Sequence, residues 1–130
     1  MKKLLLNVFT MAALLVAPLL TNAQINTPQA SSAGSVSSVV GLTDVTIDYS
    51  RPKMKGRKIF GEGSDFLQPY GQVWRSGANS GSVLSLSTDV EIGGTKVAAG
   101  EYLIFTVPGK SEWSFMLYSD LSLGGNVAGY

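Results

Sequence analysis

The feature that most constrains the fold is an alternation of apolar and polar residues with a period of two. In the run V-T-I-D-Y-S (45–50) every second residue is apolar, as in a strand with one buried face. Leu84, Leu86, Val90 and Ile92 repeat this pattern with polar residues between them, which predicts a single strand over 84–92. We find no amphipathic helical period after residue 23.

Turn signals separate further predicted strands. Gly93-Gly94 suits a tight hairpin turn, because glycine readily adopts positive φ. Residues 96–98 form the predicted return strand, and Ala99-Gly100 turns the chain again. Residues 102–107 are apolar on both faces, as in a central strand, and the run P-G-K-S (108–111) ends it. With an alternating run at 113–118, the pattern predicts an all-β fold, a small antiparallel β-sandwich or partly open barrel.

The N-terminus predicts export. Lys2 and Lys3 precede an apolar run from Leu4 to Leu20, and T-N-A (21–23) offers a small residue for cleavage. This is the layout of a signal peptide over 1–23; a retained transmembrane anchor is the alternative, because the run nears spanning length. We expect a protein that leaves the membrane after cleavage and is periplasmic or extracellular.

The rest of the chain predicts one domain. Residues 24–38 are rich in Ser, Ala, Thr, Gln and Gly, which predicts a flexible leader, and residues 39–130 suffice for a single β-domain. The chain contains no cysteine and no histidine, so we predict no metal site and no cofactor. Without Lys2 and Lys3, eight basic residues face nine acidic ones, a balance that argues against nucleic acid as a partner.

A long irregular stretch, 53–70, interrupts the strand pattern. It is rich in glycine and lacks a clear period, and loops of this length in compact domains usually have a function or are anchored by their own side chains. Ile59, Phe60 and Phe66 are the predicted anchors.

Basic residues cluster at the start of this stretch. Arg51, Lys53, Lys55, Arg57 and Lys58 fall within eight positions. They could bind an anion, since arginine suits planar bidentate contacts; a solvated basic loop is the alternative.

The run P-Y-G-Q-V-W-R-S-G-A-N (69–79) is the second candidate region. Trp74 and Tyr70 could form a stacking platform for a sugar ring, with Arg75 and Asn79 as hydrogen-bonding partners. Alternatively, Trp74 is a core aromatic, and Arg75 pairs with an internal carboxylate such as Asp48.

Several motifs together resemble the domain-of-unknown-function 2911 family. They are V-T-I-D-Y-S-R-P, K-G-R-x-I-F-G, P-Y-G-x-V-W-R-x-G-A-N, S-T-D-V-x-I-x-G and A-G-x-Y-x-x-F-x-x-P, in this order between residues 39 and 118. The resemblance implies an exported bacterial protein with a small β-rich domain, and it implies no activity. It also implies that relatives continue past Tyr118 into further strand sequence, so we interpret this chain as C-terminally truncated.

The hypothesis that follows is a non-enzymatic ligand- or partner-binding module of the cell envelope. The partner would be an anionic small molecule or a glycan. The predicted binding residues are Arg51, Arg57, Tyr70, Trp74, Arg75 and Asn79, and no catalytic residue is predicted.

Two alternatives stay open. One is an envelope hydrolase that uses a carboxylate pair, drawn from Glu62, Asp65, Glu101 and Glu112. The other is a structural or assembly module whose sheet edge recruits another strand.

Overall fold

A computed structural model describes residues 27–129. The predicted signal peptide and the first residues of the predicted leader lie outside this range. Within it the chain forms strands and two short 3₁₀ helices. The strands are β1 (Ser32–Val40), β2 (Thr43–Arg51), β3 (Phe60–Gly61), β4 (Gln68–Pro69), β5 (Ser82–Leu86), β6 (Val90–Ile92), β7 (Thr95–Val97), β8 (Gly100–Val107) and β9 (Ser114–Tyr118); the 3₁₀ helices are Leu121–Leu123 and Val127–Gly129.

Five strands form the main sheet, in the order β1-β2-β5-β8-β9, and every neighbouring pair is antiparallel. β6 and β7 form an antiparallel hairpin, and β3 and β4 form a short parallel pair. The all-β prediction is therefore confirmed. The main sheet does not close into a barrel, because β1 and β9 are its two edges.

Strand β1 differs from the sequence prediction of a flexible leader over 24–38. Residues 32–40 pair with β2 without interruption, from Ser32 opposite Arg51 to Val40 opposite Thr43. Small polar residues favour flexibility in an isolated chain, but here β2 supplies a backbone partner for every residue of β1. Gly41, with a φ of 65°, begins the two-residue turn that joins the strands, and positive φ at that position is what such a turn requires. The domain thus begins before residue 39.

The predicted single strand over 84–92 is two strands. β5 ends at Leu86, and β6 begins at Val90 in the separate hairpin. Between them, the Ser87 amide still donates to the Asp44 carbonyl of β2 at 3.1 Å, which continues the β2–β5 register by one residue. Asp89 then accepts from the Ala99 amide at 2.9 Å, and the chain has left the main sheet. The glycine turn is confirmed, since Gly93 and Gly94 join β6 to β7 with φ of 56° and 81°.

The hydrophobic core lies on one face of the main sheet and beneath the β6–β7 hairpin. Leu84, Leu86 and Ile104 are its buried centre. The half-buried residues that pack against them are Val45, Ile47, Val90, Val97, Tyr102 and Leu117. Leu103 and Phe105, which point to the opposite face of β8, are also buried. The prediction that this strand is apolar and enclosed on both faces is confirmed.

The irregular stretch 53–70 is tied to the body of the domain at β3 and β4. The Phe66 ring lies against Gly61, where a Cβ atom would come within 2.3 Å of it. Phe60 packs against Trp74 and Trp113 with ring centroids 5.2 and 4.8 Å apart. Aromatic contacts of this kind are worth about 0.5–1.5 kcal/mol beyond their buried area. Phe60 and Phe66 therefore anchor the stretch.

Candidate functional site

The segment 75–81 leaves the main sheet as a loop, which we call the arginine–asparagine loop. Before it, Trp74 exchanges backbone hydrogen bonds of 2.7 and 2.9 Å with Thr106; after it, Ser82 lies opposite Ile104. Both ends of the loop are thus held against β8. Four of its residues have positive φ: Ser76, Gly77, Asn79 and Gly81. Two of these residues, Ser76 and Asn79, are not glycine, and a non-glycine residue keeps positive φ only where surrounding contacts hold it.

Asn79 fastens the loop to the N-terminal part of the described chain. Its side-chain amide donates to Ser50 Oγ at 2.9 Å and to the Ser31 carbonyl at 3.3 Å, and it also contacts Gln29 Oε1. With a φ of 54° the residue occupies a backbone region that asparagine tolerates better than most residues. Asn79 therefore has a clear structural role in addition to its place beside the cleft described below.

Arg75 fastens the same loop to the C-terminal part. Its Nη1 donates to the Gly125 carbonyl at 3.4 Å, and the residue is half-buried. A Cβ atom on Gly125 would lie 2.8 Å from Arg75 Cδ and 2.5 Å from the Asn79 carbonyl oxygen, so the approach requires glycine. The alternative pairing with Asp48 does not occur: within residues 27–129 the ion pair is Lys110 with Glu62.

Arg57 organises the basic stretch. Its Nε donates to the Met54 carbonyl at 3.1 Å and its Nη2 to the Lys53 carbonyl at 2.8 Å. Lys55 and Gly56, which lie between Met54 and Arg57, both have positive φ, as in a tight turn. The guanidinium group thus holds the turn together while its outer side stays exposed.

These elements enclose a cleft of about 580 Å³, which we call the first cleft. Among residues 27–129, three cationic side chains line it, Lys53, Arg57 and Arg75, and no carboxylate does. Its other lining residues are Ser31, Pro52, Met54, Ile59, Phe60, Leu67, Gln68, Val73, Trp74, Gly77, Ala78, Asn79, Gly125 and Val127. The first cleft therefore combines positive charge with an apolar wall.

Trp74 belongs both to this wall and to an aromatic cluster. Phe60, Trp74 and Trp113 contact one another edge to face. Both interpretations of Trp74 from the sequence are thus compatible with its position: it packs within the domain, and part of its surface lines the cleft. Tyr70 does not accompany it, since its backbone amide donates to the Gly61 carbonyl at 2.9 Å and it lines neither cleft.

A shallower second cleft of about 450 Å³ lies next to the first and shares Pro52, Trp74 and Gly77 with it. Arg51 lines this second cleft and donates from Nη2 to the Ala33 carbonyl of β1 at 3.2 Å. The other lining residues are Ile47, Tyr49, Ser50, Ser76, Ser82 and Ile104. Of the six predicted binding residues, four line the first cleft, Arg51 lines the second, and Tyr70 lines neither.

The carboxylates considered for hydrolysis lie away from both clefts. Glu62 lies 3.8 Å from Lys110, and Glu101 accepts a hydrogen bond from Ser85 Oγ at 3.3 Å. Neither these two nor Asp65 and Glu112 line either cleft. In the part of the chain that the structure describes, no group of three or more acidic side chains could hold a metal ion.

Gly125 and Val127 were not predicted as part of the site. Both lie in the C-terminal segment 121–129, which folds back against the arginine–asparagine loop. The pair Gly124-Gly125 indicates a turn, but nothing in the local sequence indicates that this turn reaches Arg75. Met54 and Leu67, which supply apolar surface, were also missed because isolated apolar residues in a loop carry no pattern.

Comparison with known proteins gives a family and nothing beyond it. No curated protein and no solved structure matches the chain. No helix in residues 27–129 is both long enough and apolar enough to cross a membrane. Residues 31–130 match the family described as Protein of unknown function (DUF2911). This match covers most of the chain and includes the main sheet, the arginine–asparagine loop and both clefts, so the chain belongs to the DUF2911 family.

Proposed function

We propose that the protein is a binding module whose first cleft takes a small anion that carries an apolar part or a sugar ring. The observation that carries this proposal is the composition of the cleft wall: from the described part of the chain it has three cations, no carboxylate and an apolar side that includes Trp74. An anion that enters such a cleft gains charge-assisted hydrogen bonds and packs its apolar part against the wall.

The ion pairs and hydrogen bonds of the three cationic side chains support this proposal. Lys53 is exposed and has no ion-pair partner in the described chain. Arg75 uses Nη1 for Gly125, and its Nε and Nη2 have no hydrogen-bond partner among the described residues. An arginine whose planar donors are open towards a cleft suits a carboxylate or a sulfate group. Arg57, which already binds two carbonyls of its own turn, would contribute mainly charge.

The composition of the wall of the first cleft also favours a non-catalytic role. A hydrolase that uses two acidic residues needs both of them at the substrate, and the residues described by the structure place none in either cleft. We propose an exported module on a small β-sandwich, supported by the signal-peptide pattern and by the β6–β7 hairpin that covers part of the sheet. Acidic glycans of the cell envelope are then the partner class to test first.

The test uses two pairs of probes that differ only in charge. Glucuronate is compared with glucose, and octanoate with octanol, by ¹H–¹⁵N NMR titration of the purified protein. We expect at least one of the two acids to shift the Arg75 and Asn79 signals and the Trp74 indole signal, and the uncharged partners to leave them unchanged. Arg75→Gln and Lys53→Gln should each weaken binding about tenfold, the loss expected for a charge-assisted hydrogen bond.

Lys96→Gln is the matched control, because Lys96 is an exposed cation on β7 that lines neither cleft. It should leave the affinity unchanged. The proposal fails if neither acid binds at millimolar concentration, or if Lys96→Gln weakens binding as much as Arg75→Gln. Dispersed spectra and equal melting temperatures for the variants show that any loss is not caused by unfolding.

A further inference from the structure

Strand β1 is an edge of the main sheet, and within residues 27–129 its only neighbour in that sheet is β2. One carbonyl of the strand, that of Ala33, accepts a side-chain hydrogen bond from Arg51 Nη2 at 3.2 Å. β1 pairs with β2 over nine residues without a break in register. Its other side therefore presents a long, regular edge to which another strand can add.

Features that usually protect such an edge are absent from β1. Its sequence, S-A-G-S-V-S-S-V-V, contains no charged residue and no proline, and the uninterrupted register leaves no bulge. Soluble proteins normally protect long edges with lysine, proline, bulges or very short strands. Three apolar residues of β1, Val36, Val39 and Val40, are also more than half exposed.

The occupant that this edge fits is a second copy of the same strand. We propose that two chains associate through β1 about a two-fold axis, as an antiparallel β1–β1′ pair that joins the two main sheets. Antiparallel pairing about a two-fold axis places the residue at the axis opposite its own copy and every other residue opposite its counterpart across the axis. Like charges opposite each other oppose pairing. β1 carries no charge, so this repulsion does not arise, and its small side chains allow close approach.

The opposite edge, β9, fits this role less well. β9 has five residues, and the described chain continues from it into the 3₁₀ helix Leu121–Leu123, which contacts β8. A single pair of nine-residue strands is smaller than a standard interface of about 800 Å² per partner, so the dimer should be weak. It should form only at high protein concentration.

The experiment measures molar mass by sedimentation equilibrium at about 10 and about 500 µM, which brackets a weak association. The unmodified protein should change from monomer towards dimer. Val36→Lys should remain monomeric at the higher concentration, because two lysines would meet near the axis. Phe115→Lys is the matched control on the other edge strand: Val36 and Phe115 are 54% and 53% exposed, so both sites can accept a lysine.

Three results would overturn the proposal: a monomer at both concentrations for the unmodified protein, loss of the dimer in Phe115→Lys alone, or loss in both variants. Loss in both would assign association to the apolar face that Val36 and Phe115 share rather than to the edge. Hydrogen exchange gives a second measurement that does not depend on a variant. The β1 amides should become more protected at the higher concentration, whereas those of β9 should not, and protection of β9 alone would count against β1.

Discussion

At the scale of single residues, the first cleft depends on Gly125, because a side chain at this position would not fit. Gly125 allows the C-terminal segment to lie against both Arg75 and the Asn79 carbonyl. The approach of backbone to backbone leaves no room for even a methyl group. The position of the Arg75 guanidinium, and with it the charge in the first cleft, is therefore set by a residue outside the loop that carries it.

Gly125→Ala tests this dependence. A methyl group placed 2.5 Å from the Asn79 carbonyl oxygen must displace the loop or the C-terminal segment. We expect a loss of about 1–3 kcal/mol in the free energy of unfolding, as for other overpacked sites, measured by urea denaturation. The Arg75 and Asn79 NMR signals should also move.

Gly63→Ala is the comparison. Gly63 has a φ of 84° and no neighbour within 4 Å of an added Cβ, so it measures backbone strain without steric conflict. It should lose about 1–2 kcal/mol and leave the Arg75 signal in place. Equal effects of the two variants on the Arg75 signal would contradict the role given to Gly125.

Asp120 gives a prediction for pH dependence. Hydrogen bonds from the Ser122 hydroxyl and the Ser122 amide lower the pKa of Asp120 below its ordinary value of 3.8. A lowered pKa in the folded state means that these bonds stabilise the 3₁₀ helix Leu121–Leu123 above the ordinary pKa, and that this contribution is lost as pH falls through the lowered value. Carboxyl ¹³C NMR should give a midpoint below 3.8.

Ser122→Ala removes the hydroxyl donor and should raise the Asp120 midpoint towards 3.8. An Asp120 midpoint at or above 3.8 in the unmodified protein would show that the cap does not form in solution.

At the scale of elements, strand pairing decides what local sequence cannot. The alternating patterns predict β2 and β9, the run that is apolar on both faces predicts β8, and the glycine pair predicts the β6–β7 turn. β1 was missed because its stability comes from the nine residue pairs with β2 rather than from its own composition. The end of β5 at Leu86 was missed because the alternation continues beyond the paired residues: Ser87 still donates to Asp44 of β2, whereas Asp89 accepts from the Ala99 amide and has no partner strand in the main sheet.

The β6–β7 hairpin gives a prediction at this scale. Gly93 and Gly94 both have positive φ, the requirement of a type I′ turn, in which asparagine is favoured at the first central position. Gly93→Asn should therefore keep the stability or raise it by about 0.5 kcal/mol. Gly93→Val should lower it by about 1–2 kcal/mol, because a β-branched residue resists positive φ.

Urea denaturation followed by circular dichroism measures both variants. Both substitutions add a side chain at the same open position. A difference in stability between the two variants therefore reports how well each residue tolerates positive φ, and not the loss of glycine. Equal destabilisation by the two variants would mean that a factor other than positive φ requires glycine at position 93. A hairpin that loosens should also expose Val90 and Val97, which cover the core centre.

At the scale of the whole molecule, four of the residues singled out in the sequence line one cleft, but the far wall of that cleft was not predicted. Arg57, Trp74, Arg75 and Asn79 were predicted as binding residues from their rarity and clustering, and the structure brings them together around one cleft. Tyr70 was placed with them because it is close in sequence, but its position follows the pairing with β3. The far wall, Gly125 and Val127, depends on how the chain folds back, which no short pattern encodes.

The bonds of the arginine–asparagine loop also have a consequence for the order of folding. Arg75 reaches Gly125 and Asn79 reaches Gln29, each across fifty positions and in opposite directions along the chain. Closing loops of this length costs entropy that only later contacts repay. The two walls of the cleft therefore meet only after the segments on both sides of the sheet have docked, so a nascent or partly unfolded chain has no cleft. Ligand recognition, in such a molecule, would itself report that the domain is complete.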